Sequence, residues 1–427
     1  MKVLHIAYHH GMNNSGGAAI ASTRLHAALL KRGVESRYVC VNAREPGENV
    51  VVLPRGWRRL IRDFLSWIGR GVWKVSSYRQ SVWMNLVPMF GLEDEIHRFA
   101  PDVIHLHFLR TDVISIRQLA RLGEVGGCKV VVNLHDLYMI NALAPQPEGD
   151  GRYIDGFAKG NSKRLERWMF CRKRRAMARL RPEVIAPSRW ACACCAASLI
   201  GRGLRTWAIP NLTGDAFWCE PREKNGRFVI LFGANGGRSQ PAKGFDNLRA
   251  ALRALSDEVK AHSELRIFGE RGEDCQTEGV QTRFLGSGKS AEEMRRIYKQ
   301  ADVYAFPSRC ETQGMTKVEA MLCGVPVIAF DRTACAEGID NGRMGIVVRD
   351  GDVSGYADGI RRYYERWFAG ELENERSTVA DLARRKFNAD RIVDAILAAY
   401  EGFDFKFAST GSASGLRRNE MCYNSMT

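Results

Sequence analysis

The sequence predicts an α/β protein made of two doubly wound, Rossmann-like domains, and three observations carry that reading. The chain is 427 residues long, too long for one ordinary domain and suited to two of about 200 residues each. Short β-branched runs alternate with helical stretches almost from end to end. Charged, glycine-rich stretches follow the apolar runs directly, where the loops of an open parallel sheet gather around a ligand.

In the first half, residues 3–8, 102–108, 129–134 and 183–186 read as buried parallel strands. Residues 228–233, 265–268, 302–306, 326–330 and 345–348 do so in the second half. Residues 18–31 read as a helix with Ala21, Arg24, Leu25, Ala28 and Leu29 on one stripe, and Gly33 stops it. This alternation, repeated, places one domain at 1–210 and a second at 211–388, with the boundary at Ile209-Pro210-Asn211. An amphipathic helix over 389–400 is expected to complete the first domain, up to residue 402. Residues 405–427, rich in Ser, Gly, Ala and Asn, are expected to be a disordered tail.

Composition bounds the function. Hydrophobic residues make up 45% and charged residues 26%, as in a soluble globular protein. No apolar run reaches the roughly 18 to 20 residues of a membrane-spanning helix. The N-terminal MKVLHIAYHH is too short and too broken by histidine for a signal peptide. It reads as a first buried strand, and the expected location is the cytoplasm. The 12 cysteines are scattered, and the one cluster, Cys192, Cys194 and Cys195, lacks a second pair at zinc-like spacing. Small apolar packing groups in a reducing compartment are expected of them.

The net charge of +15 is uneven: residues 1–210 hold 32 Lys and Arg against 16 Asp and Glu, leaving the remainder nearly neutral. A basic first half implies an anionic partner there: a membrane surface, an anionic acceptor or a nucleic acid. Residues 54–74 interleave Arg55, Arg58, Arg59, Arg62, Arg70 and Lys74 with Trp57, Leu60, Ile61, Phe64, Leu65, Trp67, Ile68 and Trp73. Such a helix either lies on an anionic membrane surface or packs on the sheet with its basic face in water.

Two loops carry the chemistry. After the run 228–233 comes GANGGRSQPAKGFD, in which Arg238 and Lys243 sit among glycines before a helix expected to start near Phe245. Two cations and backbone N–H groups there suit a diphosphate, although a solvated loop with incidental charges would look similar. After the run 302–306 comes PSRCETQGMTKVEAMLCGVPVIAF, with Glu311 and Glu319 separated by seven residues around Gly314-Met315-Thr316. A helix starting near Thr316 would turn its N-terminal amides toward a phosphate, and the two carboxylates suit hydrogen bonds from sugar hydroxyls. Glu319 stands among core-like neighbours and therefore needs a partner.

Taken together, Arg238 and Lys243, the E-x7-E pair and EAMLCGVPVIAF resemble the retaining GT-B glycosyltransferases of family 4. The layout is similar to the bacterial exopolysaccharide and lipopolysaccharide enzymes. Gly16-Gly17, His135-Asp136, Pro187-Ser188-Arg189-Trp190 and Ile209-Pro210-Asn211 add to the match, which runs from Met1 to about Gly402. The resemblance implies two facing Rossmann-like domains with a cleft between them. It implies that Arg238 and Lys243 hold the donor diphosphate and that Glu311 meets the transferred sugar beside the amides of Gly314, Met315 and Thr316. Glu319 would bind the ribose, His135 would approach the reacting carbon or a sugar hydroxyl, and Gly16 and Gly17 would admit donor and acceptor to the backbone. His105 and His107 read as histidines buried in a strand.

No cofactor and no metal are expected, because the two cations can neutralise the diphosphate. Asp350-Gly351-Asp352 spells a D-x-D, but it falls late in the second domain, where this family carries a loop without metal. The expected partners are a nucleotide-sugar donor, a glycan or lipid-linked acceptor in cell-surface polysaccharide synthesis, and an anionic membrane surface, with no nucleic acid. Residues 137–160 contain no cysteine, unlike the insertion common in relatives of this type, which leaves the acceptor open. The alternatives are an epimerase or phosphorylase on the same fold, or a non-enzymatic nucleic-acid binder.

Overall fold

The computed structural model describes residues 1–11, 16–44, 46–54, 56–71, 84–107, 112–143, 150–158, 162–213, 215–224, 226–233 and 236–403. The tail expected at 405–427 lies outside the described residues. None of the described helices is long and apolar enough to cross a membrane. The chain divides into two compact units, Met1–Pro210 with Val393–Thr427, and Asn211–Ile392.

The first unit holds a seven-stranded sheet of β1 (Lys2–His10), β2 (Glu35–Ala43), β3 (Val50–Val52), β4 (Val103–His107), β5 (Lys129–Asn133), β6 (Glu183–Ala186) and β7 (Thr206–Ala208). Their order is β3-β2-β1-β4-β5-β6-β7, and every neighbouring pair is parallel. The helix Ala389–Glu401 returns to this unit. Its Tyr400 hydroxyl lies 2.6 Å from His105 Nδ1, and Lys129 Nζ donates to the Ala399 carbonyl at 3.2 Å.

The second unit repeats the plan with β8 (Phe228–Gly233), β9 (Ser263–Phe268), β10 (Cys275–Thr277), β11 (Val280–Phe284), β12 (Val303–Phe306), β13 (Val327–Asp331) and β14 (Gly345–Arg349). The order is β10-β11-β9-β8-β12-β13-β14, parallel except at β10–β11. Each unit is thus a doubly wound, Rossmann-like α/β domain with a parallel-dominated sheet.

Strand residues in these sheets are buried on both faces, which is why their sequences read as continuous apolar runs. Along β8, Phe228, Ile230 and Phe232 enter one core with Leu248, Tyr356 and Ile360. Leu231 points the other way, toward Tyr304, Val318 and Met321. The helix Gly17–Lys31 starts one residue earlier than the pattern suggests. Its inner stripe is Ala21, Ser22, Leu25, His26 and Leu29, and Arg24 is only half-buried.

Five strands escape the apolar-run criterion. β2 (ESRYVCVNA) mixes polar and apolar residues, and β3 and β7 are three residues long. β10 and β11 form a hairpin around Glu278-Gly279, both at positive φ, the geometry of a two-residue turn. One buried ionic knot ties the second unit together. Asp302 Oδ2 accepts from the Val229 amide at 2.7 Å and pairs with Arg222, which also bonds Glu373 at 2.5 Å.

Candidate active site

In each sheet the order of the parallel strands changes direction at one point, between β1 and β4 in the first and between β8 and β12 in the second. A crevice opens beyond the carboxyl ends of such a pair. In the second unit, the loops leaving β8 and β12 hold most of the residues expected at the site.

The β8 loop re-enters the described chain at Gly236 and runs through the short helical turns Gly237–Ser239 and Pro241–Lys243 into the helix Phe245–Arg253. Gly244 has φ 66°, and a Cβ there would sit 2.0 Å from the Pro307 carbonyl oxygen. Only glycine lets the two loops come this close. Arg309 N donates to the Ala242 carbonyl at 2.8 Å, and the loops are joined at the tip by an ion pair, Lys243 Nζ to Glu311 Oε1 at 2.6 Å. Burial works against the charge on Lys243, but the Glu311 carboxylate outweighs it and the ammonium is held above its ordinary pKa.

Arg238 is held in the same manner. Its Nε pairs with Glu270, its backbone N–H donates to Glu270 Oε2 at 2.7 Å, and its guanidinium lies 4.6 Å from the centre of the Phe284 ring. Glu270 escaped the sequence reading, and its signal was position: it stands two residues beyond β9, at the same sheet edge. Gly237 at φ 55° clears space for it, since a Cβ there would lie 1.9 Å from Glu270 Oε2.

Glu311 is buried at the start of the β12 loop, its N–H donating to Thr333 Oγ1 at 3.1 Å. The helix Met315–Leu322 begins at Gly314, whose φ of 78° leaves Phe306 the place a side chain would take. Its N-cap is a glycine and no side-chain cap is present among the described residues, an arrangement in which the first N–H groups, at Met315 and Thr316, can face an anion. Glu319 is buried, not on the surface, and Tyr298 donates to its Oε2 at 3.2 Å. Burial first, and the Glu319 charge second, push the Tyr298 hydroxyl well above its usual pKa. Lys317, absent from the expected set, is buried in the same helix and donates from Nζ to the carbonyls of Ala334 and Cys335 at 2.5 and 2.6 Å. It pins the helix to the loop after β13.

Asp350 pairs with Arg332 at 3.4 Å, and Asp352 caps its helix by accepting from the Gly355 N–H at 2.8 Å. Both carboxylates of the D-x-D therefore have structural partners. The described cysteines are all free thiols.

In the first unit, Gly16 stands at φ 86° immediately before the helix that begins with Gly17. His135 lies two residues past β5 at the carboxyl edge, with its Nε2 3.1 Å from His107 Nδ1. Behind it His105 and His107 are buried in β4, as the sequence reading has them, and His5, which that reading did not single out, joins them with ring nitrogens within 4.8 Å of one another. The parallel register sets His5 beside His105, with His107 two residues along on the same face.

The helix expected at 54–74 spans Trp57–Gly71. Among its described side chains, those of residues 57–67, Arg62 and Ser66 are buried, whereas Trp57, Leu60, Phe64 and Trp67 are 58–73% exposed. Arg62 donates to the Asp112 carbonyl at 3.1 Å and lies over the Tyr8 ring at 5.3 Å. Arg62 thus leaves the basic face assigned to it, and the helix does not pack with its apolar side inward. Arg55, Trp73 and Lys74 lie outside the described residues.

Residues 15–200 match the family model described as Glycosyltransferase Family 4, and residues 227–366 match Glycosyl transferases group 1. The chain belongs to the family 4 glycosyltransferases. A curated D-inositol 3-phosphate glycosyltransferase of Geodermatophilus obscurus is 29% identical over 190 residues, and the match covers 40% of this chain and 40% of that protein. The chain therefore spans less than half the length of the curated relatives it matches. Among solved structures it is similar to sucrose-phosphate synthase from Thermosynechococcus elongatus, with a TM-score of 0.63 and 16% identity over 94% of this chain and 98% of that one. It is also similar to Anabaena Alr3699/HepE in complex with UDP-glucose, with a TM-score of 0.61 and 17% identity over 94% and 100%. At such identities these structures speak for the fold.

Within this family 4 chain the state of Lys317 gives a test of the site's architecture. Burial lowers its pKa to about 8, whereas an unfolded lysine titrates near 10.4. Between those values the unfolded chain binds more protons, so the contribution of Lys317 to stability improves as pH rises through this window. The stability difference between wild type and Lys317→Met, measured by urea unfolding, should move toward the wild type between about pH 7.5 and about pH 10. The Cys335 thiol and Lys317 act on each other's charge, so the comparison is made with Cys335→Ala in both proteins. An unchanged difference would place Lys317 in water.

Proposed function

We propose that this chain transfers a sugar from a nucleoside-diphosphate sugar to an acceptor hydroxyl, with retention at the anomeric carbon and without a metal ion. The observation that carries the reading is the pair of cations, Arg238 and Lys243, each held by a carboxylate, Glu270 and Glu311, at one sheet edge. A diphosphate entering there would draw both cations to its oxygens, adding to the amides of Met315 and Thr316. As the bond to the sugar breaks, the negative charge on the leaving diphosphate meets groups already oriented. Glu311, freed from Lys243, would accept hydrogen bonds from the transferred sugar, Glu319 would hold the ribose hydroxyls, and His135 and the backbone at Gly16 and Gly17 would meet donor and acceptor.

Arg238→Ala and Lys243→Ala should each lower turnover about a hundredfold or more, and the fold should survive because neither side chain enters the apolar core. Near wild-type transfer in both variants would sink the diphosphate assignment. Product NMR in the presence of chelator should give the retained anomer at undiminished rate. An inverted product or lost activity would overturn the metal-free retaining mechanism.

The acceptor we infer is a glycan or lipid-linked sugar of cell-surface polysaccharide synthesis, met at a cytoplasmic membrane face. The supporting observation is the inverted helix Trp57–Gly71, with its aromatic face outward and Arg58 and Arg59 beside it. That arrangement suits the headgroup boundary of an anionic bilayer, and each basic side chain there contributes about 1 kcal/mol. A second reading, a small phosphorylated acceptor such as the names of the curated relatives suggest, is favoured by the basic surplus of residues 1–210 alone. Co-sedimentation should show binding to anionic and not neutral vesicles, weakened by salt and by Trp57→Ser with Phe64→Ser. A wild type that ignores anionic vesicles at low salt, or that hides this face in a dimer, would refute the membrane contact.

A further inference from the structure

Part of the first unit's basic surplus is gathered on one side of the helix Arg164–Leu180. Arg164, Arg167, Arg172, Arg174, Arg175 and Arg179 are exposed or half-buried there. At about 100° per residue they fall on one half of the helix circumference. Trp168 stands among them, 44% exposed, with the Arg172 guanidinium 4.6 Å from the centre of its ring. The one acid of the helix, Glu166, is buried and held by Arg152 at 2.9 and 3.0 Å. Arg179 pairs with Glu124 at 2.7 Å, and the other five arginines meet no carboxylate among the described residues.

This arrangement costs the helix stability. Arg164 and Arg167 stand in its first turn, at the positive end of the dipole. The pairs Arg164–Arg167, Arg172–Arg175 and Arg175–Arg179 set like charges three or four residues apart. The opposite side fixes the direction nonetheless. Met169, Phe170 and Met177 are buried, and the fully buried Lys173 donates from Nζ to the carbonyls of Tyr138, Asn141 and Ala142 at 2.7, 3.2 and 2.8 Å. With that ammonium seated, the arginines have to face outward.

The arginine face and the exposed aromatic helix lie on the same side of the sheet. His5 and His105 are register partners and face the helix Gly17–Lys31, whose His26 ring is 5.7 Å from that of His5. Tyr8 and Ile104 therefore point to the other side. Arg62 of the helix Trp57–Gly71 lies over Tyr8. A Cβ at Gly126 would meet Ile104 at 3.5 Å, and one at Gly123 would meet Leu180 at 3.6 Å. The helix Leu122–Gly126 thus covers Ile104, and Arg164–Leu180 adjoins it. The crossovers from β3 to β4 and from β5 to β6 step the same way across the sheet, so their right-handedness requires the same placement.

We propose that the arginine face of the helix Arg164–Leu180 is a second contact of the first unit with an anionic phospholipid bilayer, gripping headgroup phosphates. Guanidinium groups match phosphate oxygens in pairs and are more weakly hydrated than ammonium groups. Their line, about 22 Å long on a convex helix, suits a planar array of phosphates and not one small anion. A nucleic acid would satisfy the arginines but leave the outward Leu60, Phe64 and Trp67 in water, whereas the headgroup boundary of a bilayer takes both. The inference deepens the membrane contact proposed for the helix Trp57–Gly71 and rests on it.

The test is co-sedimentation of the full chain with vesicles of phosphatidylglycerol mixed with phosphatidylcholine, and with phosphatidylcholine alone, over a salt series. Arg167→Gln, Arg174→Gln and Arg175→Gln together should weaken binding to the anionic vesicles about a hundredfold, from about fivefold per cation, and flatten its salt dependence. Trp57→Ser with Phe64→Ser should weaken binding but keep the steep salt dependence. Without vesicles the arginine variant should melt no lower than wild type, since its inner face is untouched and like charges are removed. Binding that survives the three arginine substitutions unchanged, yet is lost in the aromatic variant, would overturn the arginine contact and leave the other membrane contact standing. A wild type that ignores anionic vesicles refutes both. Tighter binding to duplex DNA than to anionic vesicles, at equal phosphate concentration and salt, would assign the arginines to a nucleic acid and overturn the proposal as well.

Discussion

A parallel sheet covered on both faces leaves its polar chemistry almost nowhere to go except the carboxyl edge, and both units of this chain work under that constraint. β4, β8 and β12 are buried at every position. A charged side chain within them would be desolvated on either face, so charge is displaced to the residues that follow each strand. Glu270 follows β9, Arg238 and Lys243 follow β8, Glu311 follows β12, and His135 follows β5. The site is a consequence of strand direction before it is a set of residues.

Placing cations beside one another at such an edge is itself costly, and the structure shows how it is managed. Lys243 and Arg238 each meet a carboxylate in a partly sheltered position. These pairs restrict the two side chains in advance, so less conformational entropy would be lost when an anion arrives. They also keep the ligand-free edge close to neutral. The same tactic appears in the interior, where Asp302 and Arg222 compensate each other, and Lys317 spends its donors on two carbonyls. In the interior the ion pairs are permanent, whereas at the edge a diphosphate can compete for the cation.

Much of this was legible in the residues. Every strand recognised as an apolar run is present, because a strand buried on both faces must be apolar at nearly every position. Arg238, Lys243, Glu311 and Gly314 fall in the β8 and β12 loops and Glu319 in the helix that follows the second, since a strand end followed by glycine and charge has few other uses. β2 was illegible because it mixes Glu35, Ser36, Arg37 and Asn42 with its apolar residues. Glu270 was illegible because nothing in FGERGED singles out one acid from its neighbours; only the fold sets it against Gly237. His5 was illegible for a related reason. Alone in an apolar run it reads as a core histidine, and its meaning comes from the register that sets it beside His105 and in reach of His107.

The helix Trp57–Gly71 shows where periodicity runs out. An amphipathic pattern states that two faces differ, but not which face turns inward. The usual inference, apolar side to the core, fails here because the unit presents a polar recess: the Asp112 carbonyl and the face of the Tyr8 ring take the Arg62 guanidinium. The buried guanidinium is compensated in part, by the carbonyl acceptor, the aromatic face and Asp63 alongside, while its Nε meets no hydrogen-bond partner among the described residues. Once Arg62 is seated, Leu60, Phe64 and Trp67 must point outward, whatever that costs in water. An apolar surface held outward by a specific polar anchor differs from one left exposed by poor packing, because the anchor fixes its direction. That distinction is why the exposed face reads as a contact surface.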